Sequence, residues 1–125
     1  DHFKRINDEA GHEAGDHVLV EFARIVHARC RAGDRLFRYG GEEFVLLLPG
    51  TGPDDLRRVV DELRREVALQ LRSGERAVTV SIGAAVLEPG EDGHAWLGRA
   101  DAAMYEAKHL GRDRAVVAKA RERVS

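Results

Sequence analysis

The feature that most narrows what this chain can become is the pair Gly40-Gly41, set between two apolar runs. Leu36-Phe37-Arg38-Tyr39 precedes it, and Phe44 to Leu48 follows. A double glycine between strand-like runs predicts an antiparallel hairpin. Glycine reaches positive φ without a side-chain penalty and lets another molecule come close to the backbone. Pro49-Gly50 ends the second strand. The acidic pair Glu42-Glu43 sits at the mouth of that strand. Adjacent carboxylates repel, so one of them faces water or is neutralised by a cation, and Mg²⁺ suits carboxylate oxygen. A solvated acidic turn and a ligand-holding turn both fit this stretch.

The chain has 125 residues, 43% of them apolar, enough for one globular domain with its own core. Its 20 basic and 22 acidic side chains leave a formal charge of −2, which argues against a nucleic-acid-binding surface. Any basic site must therefore be local. A single cysteine, Cys30, excludes an internal disulfide and fits a reducing compartment. Its spacing from Phe22 and Val26 predicts a core-facing thiol. No apolar run approaches membrane-spanning length and no leader pattern is visible, so the expected location is cytoplasmic.

The opening residues 1–16 are polar and rich in turn formers, and the chain reads as cut before Asp1. Leu19, Phe22, Ala23, Val26 and Cys30 then recur at helical spacing, predicting a helix from near residue 15 to near Arg31, opened by Gly15 or Asp16. Pro53, Asp54 and Asp55 announce a second helix, whose buried stripe is Leu56, Val59, Val60, Leu63 and Val67. Residues 77–86 alternate Val or Ile with small residues, a strand with one face suited to close packing. Trp96, Leu97, Ala100, Ala103, Met104 and Ala107 mark a third helix, stopped by Gly111. Residues 115–118 form a last short strand, and 119–125 a charged tail, frayed or helical. Helices beside an antiparallel-type central sheet make an α+β fold with a ferredoxin-like βαββαβ core, its first strand missing.

Six motifs stand in register over residues 1 to about 117. They are Asp-x-Phe-Lys-x-x-Asn-Asp from Asp1, Gly-His-x-x-Gly-Asp from Gly11, Arg-Tyr-Gly-Gly-Glu-Glu-Phe from Arg38, Thr-Val-Ser-Ile-Gly from Thr79, Ala-Asp-x-Ala-Met-Tyr-x-Ala-Lys from Ala100, and Gly111-Arg112. Together they closely resemble the diguanylate cyclase family, named for its Gly-Gly-Asp/Glu-Glu-Phe (GGDEF) signature, here GGEEF. The resemblance implies a catalytic domain over 1–125, related in fold to nucleotide cyclases and polymerase palms. Its implied reaction condenses two GTP into cyclic di-GMP and releases two pyrophosphates.

That reaction needs a 3′-hydroxyl to lose its proton and attack the α-phosphorus of the other GTP, assisted by Mg²⁺ or Mn²⁺. The resemblance makes Glu42 the residue that binds metal and takes the proton, with Glu43 beside it. Asp1 matches the second Asp of the family's Asp-x-Asp metal pair, so the principal partner carboxylate falls before Asp1. Asn7 and Asp16 match the guanine-contacting pair, with His12 in the same pocket. By their residue types alone, Asn7 reads as a turn residue, Asp16 as a helix N-cap and His12 as a surface histidine. Lys4, Lys108 and Arg112 match phosphate-contacting positions, while Gly40 and Gly41 make room for the nucleotide. A lysine near a helix C-terminus is also favoured by the helix dipole alone.

Arg31-Ala32-Gly33-Asp34 stands where many family members carry an Arg-x-x-Asp inhibitory site for product. Arginine can stack on guanine and fork onto phosphate, and aspartate can accept from the guanine edge. The arginine that the next helix adds in some members could be Arg57, Arg58, Arg64 or Arg65. Trp96, Met104 and Tyr105 read as packing residues. Two function classes follow. One is a cyclase working as a homodimer, since one subunit cannot join two nucleotides. The other is a binding module that senses GTP or cyclic di-GMP without turnover.

Overall fold

A computed structural model describes residues 1–120. The part of the charged tail from 121 to 125 lies outside the described residues. The described residues are α+β, with four helices and three two-stranded sheets. It divides into two compact units: Asp1–Gly50 with Arg65–Thr79, and Thr51–Arg64 with the chain from Val80.

The first unit opens with a helix that sequence reading took for polar turns. α1 covers Phe3–Ala10 and buries only Ile6. In eight residues the apolar stripe has room for little more than Phe3, Ile6 and Ala10, too short a period to stand out. Gly11, at φ 91°, ends α1 by donating its N–H to the Asn7 carbonyl at 2.9 Å. The same glycine caps α2, His12–Arg29. This helix therefore starts three or four residues earlier than the expected opening at Gly15 or Asp16. Val18, Leu19, Ile25 and Val26 are its buried face.

β1 (Arg35–Arg38) and β2 (Phe44–Leu47) form the expected antiparallel hairpin, with Arg38 opposite Phe44 and Arg35 opposite Leu47. Phe44 meets Phe22 of α2 with ring centroids 4.9 Å apart, tying the hairpin to the helix. α3, Pro53–Gln70, has Pro53 in first position and Asp54 and Asp55 in the first turn, as the dipole favours. Leu56, Val60, Leu63 and Val67 are buried along it. The single strand expected over 77–86 is two. Arg76–Ala77 (β4) turns back through Gly74 onto Arg72–Ser73 (β3), and the Val78 N–H donates to the Leu71 carbonyl at 2.9 Å. Local hairpin pairing here overrides a continuous β-propensity pattern.

In the second unit, β5 (Ser81–Ala84) pairs in parallel with β6 (Arg114–Val117). Parallel neighbours need a long crossover, and α4, Gly93–His109, is that crossover. Asp92 caps α4, its side chain accepting from the Ala95 N–H at 2.7 Å. α4 packs on β5 through Gly83. A β-carbon there would overlap the Ala100 carbonyl oxygen and the Met104 nitrogen. The small-residue face read from the strand pattern is this contact. Arg99 grips Glu91 with two bonds, Nε to Oε2 at 2.6 Å and Nη2 to Oε1 at 2.9 Å. The Glu91 side chain is fully buried, and its hydrogen bonding raises the Arg99 pKa further above its ordinary value. Among the described residues no helix is long and apolar enough to cross a membrane.

Candidate functional site

The GGEEF turn is a five-residue loop, 39–43, between β1 and β2. The Tyr39 N–H donates to the Glu43 carbonyl at 2.8 Å and the Gly40 N–H to the same oxygen at 3.3 Å. The Arg38 side chain braces it from one side. Its Nη2 donates to the Gly41 carbonyl at 2.5 Å and its Nε to the Gly40 carbonyl at 3.3 Å. Neither Gly40 nor Gly41 has positive φ, contrary to the tight turn expected of them. A loop of five residues closes without left-handed backbone. A β-carbon at either glycine would meet nothing within 4 Å, so the loop backbone lies open there. Glu42 is exposed and Glu43 half-buried.

Lys4 and Asn7 lie on α1, and His12 and Asp16 on α2. Lys4, His12 and Asp16 are exposed; Asn7 is half-buried. Lys4 and Asn7 are spaced i, i+3, and His12 and Asp16 i, i+4, so each pair shares a helix face. Asn7 is not a turn residue, because α1 continues to Ala10. Asp16 is not an N-cap, because α2 begins four residues before it. Neither a turn nor an N-cap therefore accounts for these two side chains.

Asp1 is tied to Thr79. Its backbone nitrogen donates to the Thr79 carbonyl at 2.9 Å, and the Thr79 hydroxyl donates to Asp1 Oδ2 at 2.8 Å. Carboxylate oxygen is the donor that Mg²⁺ and Mn²⁺ take. Exposed Glu42, beside the open space at Gly40 and Gly41, fits such an ion by chemistry and access. Among the described residues no three His, Cys, Asp or Glu side chains converge as a metal-holding group.

Arg31 and Asp34 meet. The Arg31 N–H donates to Asp34 Oδ2 at 2.8 Å, and Arg31 Nη2 reaches Asp34 Oδ1 at 3.4 Å and the Pro49 carbonyl at 3.0 Å. The Asp34 side chain is 3% exposed, against 61% for Arg31, so only the arginine is open to a ligand as the loop stands. Burial and the Asp34 charge raise the pKa of the neighbouring Cys30 thiol.

Lys108 and Arg112 belong to the second unit. Lys108 is in the last turn of α4, where the dipole alone would favour it, and is half-buried. After it, Gly111, Arg112 and Asp113 all have positive φ, at 121°, 63° and 46°. Two successive non-glycine residues in that region are strained. Three bonds hold them: Arg112 N–H to the Ala107 carbonyl at 3.0 Å, Arg114 Nε to the Arg112 carbonyl at 3.0 Å, and Arg64 Nη1 to Asp113 Oδ1 at 3.1 Å. Of the four arginines considered as additions to an inhibitory site, Arg58 pairs with Asp55 at 3.3 Å, and Arg64 also lies 3.7 Å from Asp61.

Sequence reading missed three supporting residues. Arg38 as the brace of the GGEEF loop had a weak signal, a charge at a strand end. Phe44 as its anchor and Asp113 as the partner of Arg64 depend on residues far away in sequence.

The family model described as "Diguanylate cyclase, GGDEF domain" matches residues 1–114. The chain is 45% identical over 121 residues to the diguanylate cyclase DgcP of Pseudomonas aeruginosa, covering 94% of this chain and 18% of that protein. It is 46% identical over 118 residues to the diguanylate cyclase DgcM of Escherichia coli K12, covering 94% of this chain and 29% of that protein. The chain thus spans less than a third of these relatives. Among solved structures it is similar to the GGDEF domain of DgcB from Caulobacter crescentus in complex with c-di-GMP. The TM-score is 0.89 at 37% identity, covering 96% of this chain and 74% of that one. With its family match over residues 1–114 and its hairpin and helices in place, the chain belongs to the diguanylate cyclase GGDEF-domain family.

Proposed function

We propose that this domain joins two GTP molecules into cyclic di-GMP, releasing two pyrophosphates. The observation that carries the reading is the braced loop 39–43, which presents exposed Glu42 beside two glycines with open space around them. A loop tied by Arg38 and by the Tyr39–Glu43 backbone bond holds a carboxylate in one place, as a proton-abstracting group requires.

In this reading Glu42 takes the proton of the 3′-hydroxyl as that oxygen attacks the α-phosphorus of the second GTP, and Glu43 supports the loop from its half-buried position. Glu42 and Asp1 are the oxygens this chain offers to Mg²⁺ or Mn²⁺. The bound ion would supply charge neutralisation at the phosphates. Asn7 and Asp16 read the guanine, Asp16 accepting from its N1–H and exocyclic amine. His12 lies on the Asp16 face of α2. Lys4, Lys108 and Arg112 are proposed as cations for the triphosphate. Each subunit of a homodimer brings one GTP. Arg31 and Asp34 are proposed to take product as an inhibitor.

The second reading is binding of GTP or cyclic di-GMP without turnover. The experiment that separates the two is incubation with GTP and Mg²⁺ across protein concentrations. Synthesis predicts cyclic di-GMP and pyrophosphate in a 1:2 ratio, with specific activity rising with concentration. Saturable GTP binding with no product supports the second reading.

A further inference from the structure

Gly15 stands inside α2, is buried, and has ordinary helical backbone with no positive φ. Glycine weakens a helix interior relative to alanine, so nothing in the backbone calls for it here. What calls for it is a neighbour. A β-carbon on Gly15 would overlap Asn7 Oδ1, lie 2.9 Å from Asn7 Cγ and come within 3.2 Å of Phe3 Cζ. The atoms in conflict are the end of a short side chain and a ring edge, and none is backbone. An added methyl would therefore displace the Asn7 amide before it displaced a helix.

The geometry points to Gly15 as a positioning residue that fixes the Asn7 amide and thereby sets the preference for guanine. The inference rests on the reading of Asn7 as a guanine contact. α1 carries Asn7 and α2 carries Gly15 and, next to it, Asp16. Seating the Asn7 amide on the bare backbone of Gly15 ties it to the helix that holds the second guanine-reading side chain. An amide held in this way does not have to be ordered when the base arrives, which is what preorganisation contributes to selectivity.

The test is a double-mutant cycle on the whole protein. GTP and ATP binding are measured for wild type, Gly15→Ala, Asn7→Ala and the double variant, with thermal melts of each. Gly15→Ala should melt close to wild type, lose GTP affinity about tenfold, the scale of one hydrogen-bonding contact, and leave ATP affinity unchanged. Asn7→Ala should lose as much, and the double variant no more than either, because both remove the same contact. Losses that multiply in the double variant, or a Gly15→Ala protein with full GTP preference beside a defective Asn7→Ala, overturn the positioning role alone. An Asn7→Ala protein with intact GTP preference overturns the guanine reading and the inference built on it. If Gly15→Ala does not fold, Gly15→Ala with Asn7→Ser should fold, because the conflicting amide is gone; failure of that protein too would overturn the inference.

Discussion

The Tyr39 N–H donates to the Glu43 carbonyl at 2.8 Å, so the strands on either side of the GGEEF loop are closed at its base. Arg38 completes the loop from the outside with bonds to the Gly40 and Gly41 carbonyls. Arg38→Ala should loosen the loop without unfolding the chain. Charge-assisted bonds of this kind contribute about 1.5 kcal/mol, so cyclic di-GMP formation should fall about tenfold. Arg38→Lys should not recover it, because a point charge cannot span two carbonyls as a guanidinium does. Initial rates paired with thermal melts check this.

Arg31 and Asp34 should separate by stability. Asp34→Ala removes the buried acceptor of the Arg31 N–H and should cost about 1 kcal/mol in denaturant unfolding. Arg31→Ala keeps that backbone bond and, at an exposed site, should cost about 0.5 kcal/mol or less. Both should relieve product inhibition. Undiminished inhibition of Arg31→Ala by added cyclic di-GMP would remove the proposed inhibitory site.

Gly83 contrasts with Gly15, because a β-carbon on Gly83 would strike backbone atoms of α4. Backbone cannot swing aside. Gly83→Ala should destabilise the protein by about 3 kcal/mol, visible as a lowered denaturant midpoint, or prevent it folding.

Cys30 gives a pH signature. Burial first, and the Asp34 charge second, raise its pKa. A raised pKa means the folded state favours the neutral thiol. That contribution to stability is complete below the ordinary cysteine value of about 8.5 and is lost as pH rises through the higher folded value. Alkylation by iodoacetamide should accordingly be slow at neutral pH and accelerate at higher pH than for the unfolded chain. Asp34→Asn should move the profile back toward that of the unfolded chain.

Long periodic elements were legible in the sequence. α3 and α4 each carry an apolar stripe of about three turns, α3 with a start signal at Pro53 to Asp55 and α4 with a stop at Gly111, and the β1–β2 hairpin has its glycines between apolar runs. α1 was not legible, because eight residues with one buried side chain carry too little pattern. The break between β4 and β5 was hidden because a two-residue pairing outweighs a β-rich run that reads as continuous. The resemblance to the family nominated Asn7, Asp16 and Glu42, but not what holds them. The brace at Arg38, the anchor at Phe22 and the space at Gly15 are relations between residues that only the fold brings together.

Glu42, presented by the braced loop, is proposed to move the proton in cyclic di-GMP synthesis. Glu42→Gln keeps the shape of the side chain and removes its basicity together with its charge, so it tests at once the two roles proposed for it, proton acceptor and metal ligand. Turnover of GTP to cyclic di-GMP with Mg²⁺ should fall by a factor on the order of 10³, within the range for a lost general base, while GTP binding and the thermal melt stay near wild type. Synthesis continuing at wild-type rate in Glu42→Gln would exclude Glu42 as the proton acceptor.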